Sequence, residues 1–248
     1  MGMSARDWRS VITEAATLLD DTWHIIGTGR RTYLLRTPVE WWVQYLSYEN
    51  TAVGRLIGYQ AFLGCPVSIS QTGDRGVSGD SYIMPGEPRR RLARDLLTPT
   101  GIADFARAVT DTHYHPVTDL HAELHRSEET LEFRRSKGQE WIYEGSLRQR
   151  LVALRVVCAS RTRAELIDDV QWVLDDPACD SHPTLSSPKG TARAASAFFT
   201  DVRDALINDD RAQVEHLITT ARAETLTIIG VPDHHIAPLV FPPPLVTT

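Results

Sequence analysis

The chain has 248 residues, 42% of them apolar and 23% charged, with a formal net charge of −6. That balance describes an ordinary globular protein, long enough to bury a core in one large domain or two small ones. No run approaches the roughly 20 consecutive apolar residues of a membrane helix, and an acidic chain has no overall footprint for nucleic acid, so neither partner is expected.

The opening stretch MGMSARDWRS has no apolar h-region, so a secretory signal is not expected. The three cysteines, Cys65, Cys158 and Cys179, are widely spaced and odd in number. They fit reduced thiols in a cytoplasm better than a disulfide framework. Lys137 and Lys189 are the only lysines, so Schiff-base or P-loop chemistry has two candidates, both in polar contexts. Such an arginine bias commonly reflects a GC-rich bacterial genome, and a bacterium or its phage is the expected source.

In chain order, residues 4–20 predict a first helix, with Ser4 as cap and Trp8, Val11, Ile12, Ala15, Leu18 and Leu19 at helical spacing. Gly27-Thr28-Gly29 lies between two apolar runs and predicts a hairpin. In VEWWVQYLSY, Val39, Trp41, Val43 and Tyr45 alternate with Glu40, Trp42, Gln44, Leu46 and Tyr48, the pattern of a strand with two partly apolar faces. A further strand or bent pair follows, with Gly58 and Gly64 as bulge markers. Residues 1–70 thus read as a helix plus an antiparallel meander of about four strands, and 71–91, rich in Gly, Asp and Pro, as a loop.

Residues 92–230 turn helical and are expected to pack on the sheet or beside it. Thr98-Pro99 opens a helix carrying Ile102, Phe105, Ala106 and Val109, and Leu120, Leu124 and Leu131 share the face of another. Ser146 with Gln149, and Thr162 with Glu165, have capping-box spacing. They launch the stripes Leu147, Leu151, Leu154, Cys158 and Leu166, Val170, Val173. A polar linker over 176–190 precedes two more helices, near 191–208 and 210–226. The tail, 231–248, is apolar and proline-rich and should lie extended along the body or a partner. The class expected is α+β.

Chemistry is hinted at in one place, where His113, His115, His121 and His125 fall within thirteen positions. Extended backbone before Pro116 would put Asp111, His113 and His115 on one side, and a following helix would put His121 and His125 on one face. These five residues could hold zinc or another divalent transition metal, with Glu123 or Glu128 as base. A zinc-protease helix is excluded, because Glu123 stands two residues after His121, about 200° round the helix. The Asp-x-His-x-His order resembles the opening of amidohydrolase-like barrels, but its helical surroundings do not fit that fold.

Other motifs are incomplete. Gly79-Asp80-Ser81 lacks the apolar strand and late Asp-x-x-His of the serine hydrolases it resembles. Gly73, Gly76 and Gly79 lack the spacing of a phosphate cradle. Cys179 with His182 is half a zinc knuckle without its partner pair. Trp42, Leu46 and Tyr48 would make a partner-binding patch unless helices cover them. The function expected is therefore a non-catalytic, cytoplasmic interaction or regulatory protein whose partner is another protein: an inhibitor, an immunity-type protein, or a phage or host accessory factor. The alternative is a metal-dependent hydrolase using the histidines at 113–125. An incomplete motif alone does not decide between them, because sites assemble in space rather than along the chain.

Overall fold

The computed structural model describes residues 3–49, 55–66, 80–83, 97–112, 119–139, 146–177, 179–180 and 194–246. The class is α+β: an N-terminal helix, an antiparallel sheet, and helices through the C-terminal half. The chain divides into two compact units. The first comprises 1–61, 71–116 and 230–238; the second comprises 62–70, 117–229 and 239–248.

In the first unit, α1 (Ala5–Ala16) begins where Ser4 accepts the Asp7 N–H, as the cap signal predicts. The sheet runs in the order β1 (Trp23–Ile26), β2 (Tyr33–Arg36), β3 (Trp42–Glu49), β4 (Arg55–Phe62), β5 (Asp80–Ile83). β1 and β2 form the expected hairpin, Ile26 opposite Tyr33, around a connection in which Gly27 and Gly29 take φ of +75° and +62°. Two sequence expectations need correction. The four strands expected before residue 70 are present as β1 to β4, and the stretch read as a loop contains β5, which pairs antiparallel with β4 and makes the sheet five-stranded. Ser81, Tyr82 and Ile83 offer β-formers amid turn residues, a run too short to stand out. Gly58 faces Tyr82 in a register that runs unbroken from Ile57 to Gln60, so it marks no bulge against β5.

One face of this sheet is closed by helices. Leu34, Leu46, Tyr48 and Leu56 pack with Trp8, Ile12 and Ala15 of α1 and with Ile102, Phe105, Ala106 and Val109 of α2 (Pro99–Thr112). Burying each large apolar side chain there contributes about 1.5–3 kcal/mol. Trp8 also donates its indole N–H to the Thr32 carbonyl at 2.9 Å, tying α1 to the hairpin. The opposite face carries a ladder of tyrosines: Tyr33–Tyr45 and Tyr45–Tyr59, with centroids 5.0 and 5.2 Å apart. All three are buried, so both faces of β3 are covered.

The second unit is helical: α3 (Leu120–Ser136), α4 (Ser146–Cys158), α5 (Arg163–Leu174), α6 (Ala195–Ile207) and α7 (Arg211–Ile229). The Thr162–Glu165 capping box forms as expected. At the other signal α4 begins at Ser146, and Gln149 donates its Nε2 to the Cys179 carbonyl at 3.0 Å. The predicted stripes are buried, Leu120, Leu124 and Leu131 on α3, Leu151, Leu154 and Cys158 on α4, Leu166, Val170 and Val173 on α5. After α7 the described residues, as far as 246, run without helix or strand, apart from a 3-10 turn at Asp233–His235 and a parallel bridge from Ile236 to Val39.

Gly27 and Gly29 separate two effects. A Cβ at Gly27 would overlap the Arg31 carbonyl, whereas one at Gly29 would meet nothing within 4 Å. Gly29→Ala should cost only the left-handed backbone penalty, about 1–2 kcal/mol, and Gly27→Ala distinctly more. Urea denaturation of the two variants checks this ordering.

Candidate functional site

The residues nominated from sequence are placed as follows. Asp111 is the exposed penultimate residue of α2, in the first unit. His121 and His125 stand on α3, in the second. His113 and His115 lie outside the described residues. His125 directs Nε2 at Glu129 Oε1, 3.2 Å away on the same helix. Glu123 meets Arg126 at 3.1 Å and Glu128 meets Arg155 at 3.0 Å, so both nominated bases are ion-pair partners. Among the described residues no group of three His, Cys, Asp or Glu is arranged to hold a metal.

Trp42, Leu46 and Tyr48 are buried, at 6%, 0% and 6% exposure. Tyr48 accepts the Met3 N–H at 3.1 Å and packs its ring on Trp8. Of the residues read as a partner patch, Leu46 and Tyr48 thus belong to the hydrophobic core of the first unit. Ser81 is in β5, while Gly73, Gly76, Gly79 and His182 lie outside the described residues. The cysteines are all buried, and desolvation pushes their thiols up, Cys65 and Cys158 to about 12 and Cys179 to about 11. A thiol held so high is neutral at physiological pH and is a poor nucleophile.

What the structure brings together instead lies in the second unit, where four helix ends converge. α3, α4 and α6 all finish in the same motif, a left-handed residue after the cap and paired backward hydrogen bonds. In α3 that residue is Gly138, with Gly138 N bonded to Arg135 O and Gln139 N to Arg134 O. In α4 it is Ala159, at φ 44°, with Ala159 N bonded to Val156 O and Ser160 N to Arg155 O. In α6 it is Asp209, at φ 57°, with Asp209 N bonded to Leu206 O and Asp210 N to Ala205 O. Glycine takes this conformation freely; a side chain costs about 1–2 kcal/mol. Ala159 and Asp209 both line one cavity of about 240 Å³.

The cavity is apolar inside and charged around its edge. Leu166, Leu206, Pro244 and Val246 contribute aliphatic surface, and Arg161, Arg163, Arg211, Asp209 and Asp210 supply the charges. Each charge has a partner within the unit. Arg163 pairs with Asp209 at 2.9 Å, joining the α4–α5 turn to the α6–α7 turn. Asp210 caps α7 by accepting the Gln213 N–H. Arg211 stands in the first turn of α7, the end that disfavours a cation. It reaches away, to the Val156 and Val157 carbonyls at 2.7 and 2.9 Å and to Glu215 at 2.8 Å. The tail completes the α4 end: Leu245 N bonds to Cys158 O, and Val246 N to Ala159 O. The carbonyls that a helix terminus leaves open are thereby satisfied by one arginine and one strap of backbone.

Behind the cavity lies a buried ion cluster. Arg155, with a side chain only 6% exposed, reaches Asp169 at 2.8 Å and Glu128 at 3.0 Å. Arg161 adds contacts to Asp169 at 3.1 Å and Glu128 at 3.7 Å. Burial outweighs both arginines and pushes the Asp169 carboxyl above its ordinary value. Sequence reading missed this cluster, although Arg155 falls one turn from Leu151 on a buried face, a signal available in the helical spacing. No family model, no curated protein and no solved structure matches the chain.

Two outcomes follow. Arg155→Met leaves Asp169 buried against Arg161 alone and should cost about 3–5 kcal/mol near neutral pH. An acid whose folded pKa is raised gains stability below that pKa and loses it as pH rises, so the deficit should shrink on acidification. Denaturation of both proteins across pH checks the trend. Ala159→Gly, by contrast, relieves a left-handed alanine and should raise stability by roughly 0.5–1 kcal/mol in a urea titration.

Proposed function

We propose that the chain is a non-catalytic, cytoplasmic interaction protein, and that it grips a protein partner at the cavity where α4, α5, α6 and α7 end. The partner segment is one that presents a compact apolar side chain beside a carboxylate. The observation that carries this reading is the gathering of strain: Ala159 and Asp209, the non-glycine residues of positive φ among those described, line the same cavity. Backbone strain of this kind persists where the surrounding structure imposes it, and it clusters at sites of function. The charges agree with the assignment. Three arginines against two aspartates make the edge favourable to an acidic group, and their ties to helix ends hold them as recognition elements rather than acids or bases. Ile207 and Leu245, chain neighbours of cavity residues, are 55% and 54% exposed.

Site-specific photo-crosslinking in lysate of the source organism tests the proposal. A crosslinker at Ile207 or Arg163 should capture one protein species that a crosslinker at Lys137, on the far end of α3, does not. Arg163→Glu should abolish that capture while leaving the melting temperature within a few degrees of the parent. Equal labelling from all three positions would overturn the assignment, as would undiminished capture by Arg163→Glu. Elemental analysis of untagged protein covers the hydrolase alternative. Near-stoichiometric transition metal, lost in His121→Ala/His125→Ala, would replace the binding reading with the metal-dependent one.

A further inference from the structure

In the first unit the imidazole of His24, on β1, meets the adjacent pair His234 and His235, some two hundred residues further along the chain. The His235 ring centroid lies 4.2 Å from that of His24, on β1, and 4.0 Å from that of His234. The ring planes are inclined by 32° and 49°. His24 and His235 are half-buried, and His234 is exposed. His235 closes the 3-10 turn Asp233–His235, and the backbone around it is fastened to a buried residue. Val39 N donates to His235 O at 2.8 Å, and Ala237 N donates to Val39 O at 3.0 Å. Val39 is fully buried, so this pairing closes over the core rather than over solvent.

Neutral aromatic rings at this spacing attract one another, whereas imidazolium rings in contact repel with little water between them. Desolvation, followed by the charges of His24 and His234, holds the His235 imidazole below its ordinary value. Among the described residues the charges that act on His235 are those of His24 and His234; Asp233 stands on the same turn, Glu40 beside Val39 and Arg36 on β2. His234 is exposed to water.

We propose that the His24–His235–His234 stack is an acid-sensitive latch, closed with neutral rings to hold Ile236 and Ala237 on Val39 and opened by protonation to free that segment. The sign follows from linkage. A histidine with a depressed folded pKa contributes its stability in full above the unfolded value, near 6.5, and loses it as pH falls through the folded value. The latch therefore opens on mild acidification, while the sheet core, packed by apolar residues, stays closed. This inference is independent of the cavity and of the partner proposed for it.

Amide hydrogen exchange read residue by residue, corrected for intrinsic rates, tests it at about pH 7.5 and about pH 5.5, on either side of the ordinary histidine range. Protection at Val39 and Ala237 should fall severalfold at the lower pH, while protection at Tyr45 in β3 holds. In His235→Phe, which keeps a ring but cannot be protonated, protection at Val39 and Ala237 should be the same at both pH values. Unchanged protection in the parent protein would overturn the latch, and so would an undiminished fall in His235→Phe. Should that variant fail to fold, NMR titration of the parent decides: a His235 apparent pKa at or above 6.5 would sink the proposal, and one below it, with Ala237 shifting in step, would sustain it.

Discussion

A guanidinium with almost no access to water governs the helical unit. Arg155 cannot leave its charge unmatched in a medium that solvates it poorly, so carboxylates must come to it from neighbouring helices. Glu128 comes from α3 and Asp169 from α5, on either side of α4. One side chain on the middle helix thus dictates the register of three, because sliding α3 or α5 by a turn would strand a buried charge. Apolar stripes would tolerate such a slide far better, since dispersion contacts are non-directional. Asp169 bears the consequence: its carboxyl is raised by burial despite two arginines at hand.

Much of the architecture was legible where a local rule had one outcome. Ser4, Thr98-Pro99 and the Thr162–Glu165 box marked helix starts, and the Gly27–Gly29 turn marked a hairpin, because each depends on contacts within a few residues. What was not legible depended on partners distant in sequence. Trp42, Leu46 and Tyr48 looked like a surface because a strand does not reveal what will cover it; α1 and α2 supply the cover of Leu46 and Tyr48 from both sides in sequence. The density of histidines at 113–125 drew the eye through composition. The imidazoles of His24 and His235, found in contact, are separated by some two hundred residues and leave no local trace.

The cavity was invisible in the sequence for a further reason. Helix ends are usually punctuated by glycine, and α3 obeys with Gly138. At Ala159 and Asp209 the same geometry is adopted without the residue that signals it, so nothing in the text of the chain announces two tight turns side by side. The surroundings force the conformation. The α4 terminus is clamped by Arg211 and by the tail, and the α6 terminus is tied through Asp209 to Arg163. Locally unfavourable backbone held by several distant contacts is the reverse of the consistency seen in the rest of the fold.

The bridge between Val39 and Ile236 has a bearing on how the molecule is made. Nearly two hundred residues separate its halves, among them the whole of α3 to α7. At ~5–20 residues per second a ribosome needs roughly 10–40 s to travel that distance, far longer than a hairpin needs to form. The meander must therefore wait on the nascent chain with one seam open, and the seam closes only after the intervening helices have emerged. Closure of that seam is in this way made contingent on synthesis of the chain through Ile236.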